Sequence, residues 1–130
     1  MTDTPAPAPA PLLLVDDDPA IRTSLKFALE IEGYAVETYA DAESLAARQD
    51  LPDNGCLVVD YQLPGMDGLE LVETLRRRAI LLPALLITTQ PTRQVRLRAR
   101  RAGVDIVEKP LLSTCLGDAV ARLLAPAPLA

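Results

Sequence analysis

The sequence predicts an α/β domain, a doubly wound sheet of five parallel strands with helices on both faces. Two observations lead there. Short apolar runs alternate with stretches of helical period from Leu12 to Leu124, the pattern of successive βαβ units. Four of the runs also stop at a chemically useful residue. Leu12-Leu13-Leu14-Val15 runs into Asp16-Asp17-Asp18, Cys56–Val59 into Asp60, Ala84–Ile87 into Thr88, and Ile106–Glu108 into Lys109-Pro110. In an open parallel sheet the carboxyl ends of the strands border one crevice where ligands bind. These residues are therefore expected at one place.

Each element has its own signal. The first strand is Leu12–Val15. Asp18 followed by Pro19 reads as an N-cap with proline at the first helical position, where its missing N–H has no partner to lose. Ile21, Leu25, Ala28 and Leu29 then form a buried stripe, and Gly33 ends the helix. Tyr34–Tyr39 reads as the second strand, and Asp41 caps a short helix reaching Gln49. The third strand ends at Asp60. Asp67 and Glu70 have the spacing of a capping box for a helix to Arg78, with Leu71, Val72 and Leu75 facing inward. Pro83–Thr88 is the fourth strand, Thr92–Ala102 the fourth helix and Asp105–Glu108 the fifth strand. A last helix over Ser113–Leu124 buries Leu116, Ala119, Val120 and Leu123, although Gly117 inside it costs about 1 kcal/mol relative to alanine. Residues 1–11 alternate proline with alanine and form an extended or disordered arm, and residues 125–130 form a tail of the same character. The domain proper is 12–124.

Composition narrows the function. At 130 residues and 49% hydrophobic content the chain can bury one substantial core. No apolar stretch approaches the ~18 residues of a membrane span, and no basic signal region opens the chain. A soluble, cytoplasmic protein is expected, with no membrane partner. Cys56 and Cys115 read as small core hydrophobes. The absence of histidine excludes Ser–His and Cys–His nucleophile pairs. The net charge of −5 hides an asymmetry: residues 1–74 carry 15 acids and 3 bases, residues 75–130 carry 3 acids and 10 bases. Arginines at 76, 77, 78, 93, 96, 98, 100 and 101 either lie on solvated helix faces, complementing helix dipoles, or form an acidic partner's docking surface on the fourth helix, centred on Arg96 and Arg100. Nucleic acid is not expected to bind this domain, because no aromatic residue falls inside the block.

Asp16, Asp17 and Asp60 would bring three negative charges into one crevice. They repel unless a divalent cation joins them, and an all-oxygen donor set favours Mg²⁺, or Mn²⁺, over zinc. Helix capping explains Asp18 but not the two acids before it, nor Asp60 on a separate strand. Lys109 at the mouth of a strand needs an acidic neighbour, and Thr88 supplies a hydroxyl. A carboxylate nucleophile, a metal site, a hydroxyl and an ammonium make a coherent set for a phosphoryl group.

With these segments the chain resembles the receiver domain of two-component response regulators, most closely the FixJ-like receivers. The resemblance rests on Val15-Asp16-Asp17-Asp18-Pro19, Asp60-Tyr61-Gln62-Leu63-Pro64-Gly65-Met66-Asp67-Gly68, Pro83–Thr88 and Glu108-Lys109-Pro110. It implies the (βα)5 flavodoxin-like fold with strand order 2-1-3-4-5. It also implies that Asp60 accepts the phosphoryl group, from a sensor histidine kinase or a phosphotransfer protein. Mg²⁺ would then be bound by Asp17, Asp60 and the Gln62 carbonyl, with Asp16 acting through water. Lys109 and Thr88 would hold phosphoryl oxygens, and Gln62 and Gln90 would tune hydrolysis. Such a domain is a phosphoacceptor rather than a turnover enzyme, and homodimerisation on phosphorylation is one expected consequence.

The chain departs from the family pattern at several places. Thr89 stands where a small residue usually follows the threonine, Leu111 where phenylalanine commonly follows Lys-Pro, and Ile106 where a switch aromatic usually lies. The departures at Ile106 and Thr89 favour a second reading, a phosphorylation-independent interaction module. Asp16-x-Asp18 superficially fits a haloacid-dehalogenase phosphatase, which leaves Asp60 unexplained. A flavodoxin would need a Thr/Ser/Gly-rich loop after the first strand. A stand-alone receiver is expected, with an N-terminal domain of a larger regulator as the alternative.

Overall fold

The computed structural model describes residues 11–109 and 115–124. The arm, apart from Pro11, and the tail lie outside those residues, as do Pro110 and Leu111. Ten elements alternate in order: β1 (Pro11–Val15), α1 (Pro19–Ile31), β2 (Ala35–Tyr39), α2 (Ala42–Ala46), β3 (Cys56–Asp60), α3 (Gly68–Arg77), β4 (Ala84–Thr88), α4 (Arg93–Ala102), β5 (Val104–Glu108) and α5 (Cys115–Leu124). The strands form one sheet in the order β2-β1-β3-β4-β5, every pairing parallel. The predicted topology is observed.

Side-chain alternation along the strands builds two core layers. Leu13, Val15, Leu57, Val59 and Leu86 face α3 and α4, packing on Leu71, Val72, Leu75, Val95 and Ala99. Leu12, Leu14, Val58, Leu85 and Ile87 face the other way, onto Leu29 of α1 and Leu116, Ala119 and Val120 of α5. All residues of β3 and β4 are buried, as expected of central strands covered on both faces. The edge strands β2 and β5 are only partly buried.

Most elements start where their caps predicted. The Asp18 carboxylate accepts from the N–H groups of Ala20 and Ile21. Asp67 and Glu70 form both halves of a capping box on α3. Thr92 caps α4, and Gly103 ends it at φ +71°.

Three expectations need correction. In α1 only Leu29 of the predicted stripe is buried; Leu25 is half-buried, Ala28 is exposed and Ile21 is 42% exposed. Ile21 stands on the rim of the acidic cleft described below. α2 stops at Ala46 rather than Gln49. Pro52 offers no N–H to the Arg48 carbonyl, and Arg78 reaches across from the end of α3 to donate to the carbonyls of Ala46 and Arg48, at 2.8 and 2.6 Å. Tyr34 lies in the turn that closes α1, not in β2, and its N–H donates back to the Leu29 carbonyl. At three further strand starts the boundary moves by one residue: Pro11 joins β1, Pro83 falls outside β4 and Val104 opens β5.

Candidate functional site

The carboxyl ends of β1 and β3 bring three aspartates together. One carboxylate oxygen from each of Asp16, Asp17 and Asp60 lies within 4.8 Å of the others, so the three could hold a metal ion. Asp16 and Asp60 are buried, 3% and 5% exposed, whereas Asp17 faces solvent. An all-carboxylate donor set open on one side suits a hard cation that keeps waters. Together with Gln62 and Lys109 they line one open cleft of about 700 Å³.

Each acid is held by its surroundings. The Asp16 carboxylate accepts from the Asp18 N–H at 2.9 Å, and Arg22 donates to the Asp16 carbonyl at 2.7 Å. Burial pushes the Asp16 carboxyl above its ordinary range; the Asp18 hydrogen bond opposes this, and the Asp60 charge adds to it. Asp60 accepts from the Gln62 N–H at 3.1 Å and pairs with Lys109 Nζ at 3.1 Å. The lysine is a third exposed in its side chain while Asp60 is almost fully covered, so the ammonium reaches in from the cleft edge. The acidic neighbour expected for Lys109 is Asp60.

The remaining predicted residues are less directly engaged. Thr88 ends β4 with its side chain buried, and its carbonyl accepts from the Lys109 N–H at 2.8 Å. Thr89 and Gln90 are exposed in the following loop, Gln90 with a left-handed φ of +44°. Ile106 is half-buried on β5 against the α3–α4 side of the core, opposite Leu86 in register. Asp18 is occupied in capping α1, which removes it from an Asp-x-Asp catalytic pair.

Two supporting residues were not singled out from sequence. Arg22 sits one helical turn into α1 and returns to the Asp16 carbonyl. Glu43 of α2 accepts from the Met66 N–H at 3.0 Å, tethering the loop that follows Asp60. Neither carried a local signal, because each works on a partner supplied by the fold. Gly68 is needed where α3 begins: a Cβ there would collide with the Asp60 carbonyl and the Val59 side chain. The arginine block is divided rather than continuous. Arg96 pairs with Glu108 at 2.6 Å, and Arg98 grips both Glu73 oxygens at 2.7 and 3.2 Å. No helix among the described residues is long and apolar enough to cross a membrane.

Known proteins share both the pattern and the fold. A family model described as the response regulator receiver domain matches residues 12–121. The chain is 39% identical over 114 residues to the C4-dicarboxylate transport transcriptional regulatory protein DctD of Pseudomonas aeruginosa, covering 87% of this chain and 25% of DctD. It is 36% identical over 110 residues to the transcriptional regulatory protein FixJ of Rhizobium meliloti, covering 84% of this chain and 54% of FixJ. The chain thus spans from a quarter to about half of these relatives' length. Among solved structures, FixJ-N superposes with a TM-score of 0.80 at 31% identity, covering 99% of this chain and 100% of FixJ-N. The chemotaxis protein CheY4 of Vibrio cholerae gives a TM-score of 0.80 at 29% identity, over 90% of this chain and 100% of that one. A matching model over nearly the whole domain, on a sheet ending in this acid cluster, means that the chain belongs to the response regulator receiver domain family of two-component signalling.

Proposed function

We propose that this domain is phosphorylated on Asp60, with a histidine kinase or phosphotransfer protein as donor. The observation that carries the reading is the Asp60 carboxylate itself: buried at a strand end, 3.1 Å from Lys109 Nζ and beside two further aspartates. An Asp60 oxygen attacks phosphorus in line, the bond from phosphorus to the donor atom breaks, and an acyl phosphate remains. Asp16, Asp17, Asp60 and the Gln62 carbonyl would hold Mg²⁺, or Mn²⁺ in its place. When bound, the cation neutralises phosphoryl charge that carboxylates alone would repel.

Lys109 is already aimed at Asp60 and moves onto a phosphoryl oxygen. Thr88 lies one strand away, tied through its carbonyl to the Lys109 N–H, and its hydroxyl hydrogen-bonds another oxygen once the group is attached. Gln62 and Gln90 set the access of water to the acyl phosphate, and Thr89 narrows the approach. Ile106 has no ring to swing between two positions, so the surface response travels through Thr88 and Lys109 rather than through an aromatic switch. The domain dephosphorylates itself and acts as a switch, not a turnover enzyme, and homodimerisation on phosphorylation follows from the same reading.

The test is intact-protein mass after incubation with acetyl phosphate and Mg²⁺. Wild type should gain about 80 Da, one phosphoryl group, and Asp60→Ala should gain nothing. No gain from acetyl phosphate or from a phosphohistidine donor would leave a phosphorylation-independent interaction module instead.

A further inference from the structure

The arginines of α4 do not act as one surface. Arg96 and Arg98 are spent on Glu108 and Glu73. Arg100 and Arg101, in the last turn, are exposed. Among the described residues no carboxylate lies within ion-pair distance of either. They meet Arg76 of α3 across an open cleft of about 600 Å³, with Leu81 and Pro83 on another wall. Arg76 is fixed there by donating to the carbonyls of Ala102 and Ile80, at 2.8 and 2.9 Å. Leu81 is 75% exposed. No carboxylate lines the cleft, and no acid occurs in the sequence between Glu73 and Asp105.

From this arrangement we infer that the cleft docks an acidic peptide segment of a partner protein. One apolar side chain of the peptide rests on Leu81 and Pro83, while carboxylates on either side of it meet Arg100 and Arg101. Guanidinium groups bind carboxylates in two-pronged pairs, and doing so beside an apolar wall excludes water from one side of each pair. Three cations from two helices, arranged around an exposed leucine, exceed what capping the α4 dipole requires. Nucleic acid fits less well, since no aromatic ring lines the cleft for a base to stack on.

The cleft lies at the amino-terminal ends of β4 and β5, about 13 Å of strand from the Asp60 site. The docking argument uses none of the residues of the Asp60 site and does not rest on the phosphorylation reading.

The experiment is fluorescence anisotropy of the full chain with a fluorescein-labelled Glu-Glu-Leu-Leu-Glu-Glu peptide. Its all-lysine counterpart and a single-stranded oligothymidylate serve as competitors. Saturable binding is expected, weakened at least about tenfold in Arg100→Glu/Arg101→Glu and about threefold in Leu81→Ser. Arg93→Glu, a single charge reversal at the opposite end of α4, should leave it unchanged, as should Asp60→Ala. If charge reversal unfolds the domain by circular dichroism, Arg100→Gln/Arg101→Gln replaces it with the same expectation. The inference is overturned by absence of saturable binding, by equal loss in Arg93→Glu, by loss in Asp60→Ala, or by oligothymidylate competing as well as unlabelled peptide.

Discussion

At the scale of single residues, the site is a cluster of like charge held together by surrounding structure. Asp16 is buried beside Asp60, with its carboxyl pushed up chiefly by burial. Asp16→Asn should therefore raise the stability of the metal-free domain by about 1 kcal/mol, read as a higher urea midpoint, while weakening Mg²⁺ binding. Lys109→Ala should do the opposite to stability and slow acetyl-phosphate labelling of Asp60 by about 10²-fold, since it removes the one ammonium aimed at the developing charge. A mass time course reads that rate. The acids, Thr88 and Lys109 were legible in the sequence because each closes an apolar run, and strand ends converge in a parallel sheet. Arg22 and Glu43 were not. Arg22 returns to a carbonyl six residues back and Glu43 reaches an N–H 23 residues on, and neither contact has a spacing that marks it in the sequence.

At the scale of elements, caps were readable and burial was less so. Asp18, Asp41 and Asp67 each capped the helix they were expected to cap, because capping is a contact within four residues. Helical period identifies the inward face of α1 but not how deeply each position on it is covered, and of the stripe only Leu29 is buried. Past the end of α2 the carbonyls of Ala46 and Arg48 are met by Arg78, 32 and 30 residues on in sequence. The glycines give a paired test of close approach. Gly68→Ala should destabilise the domain by about 1–3 kcal/mol, because its Cβ meets the backbone carbonyl of Asp60, which cannot move away. Gly117→Ala should stabilise α5 by up to about 1 kcal/mol, since only the flexible end of Glu32 stands in the way. Thermal denaturation of the two variants against wild type checks both signs.

At the scale of the whole molecule, the central strands are covered on both faces, and Cys56 shows what that covering does. It is fully buried, and burial pushes its thiol up to about 12. The folded domain should leave Cys56 unalkylated by iodoacetamide at pH 8 for as long as it stays folded, with peptide mapping to separate it from Cys115. Because the unfolded thiol ionises near its ordinary value and the folded one does not, this group's contribution to stability is complete below about pH 9 and falls as pH rises towards 12.

The sequence by itself determined the fold class, the order of the elements, the caps and the identity of the acid, hydroxyl and lysine set. Strand alternation, capping and strand-end chemistry are local, and local patterns survive any packing. Only the tertiary structure decided which arginines are ion-paired and which are left exposed. Arg96, Arg98 and Arg100 look alike along α4, and what separates them is that Glu108 and Glu73 come within reach of the first two across the fold. An ion pair depends on distances between elements, which one-dimensional spacing does not contain.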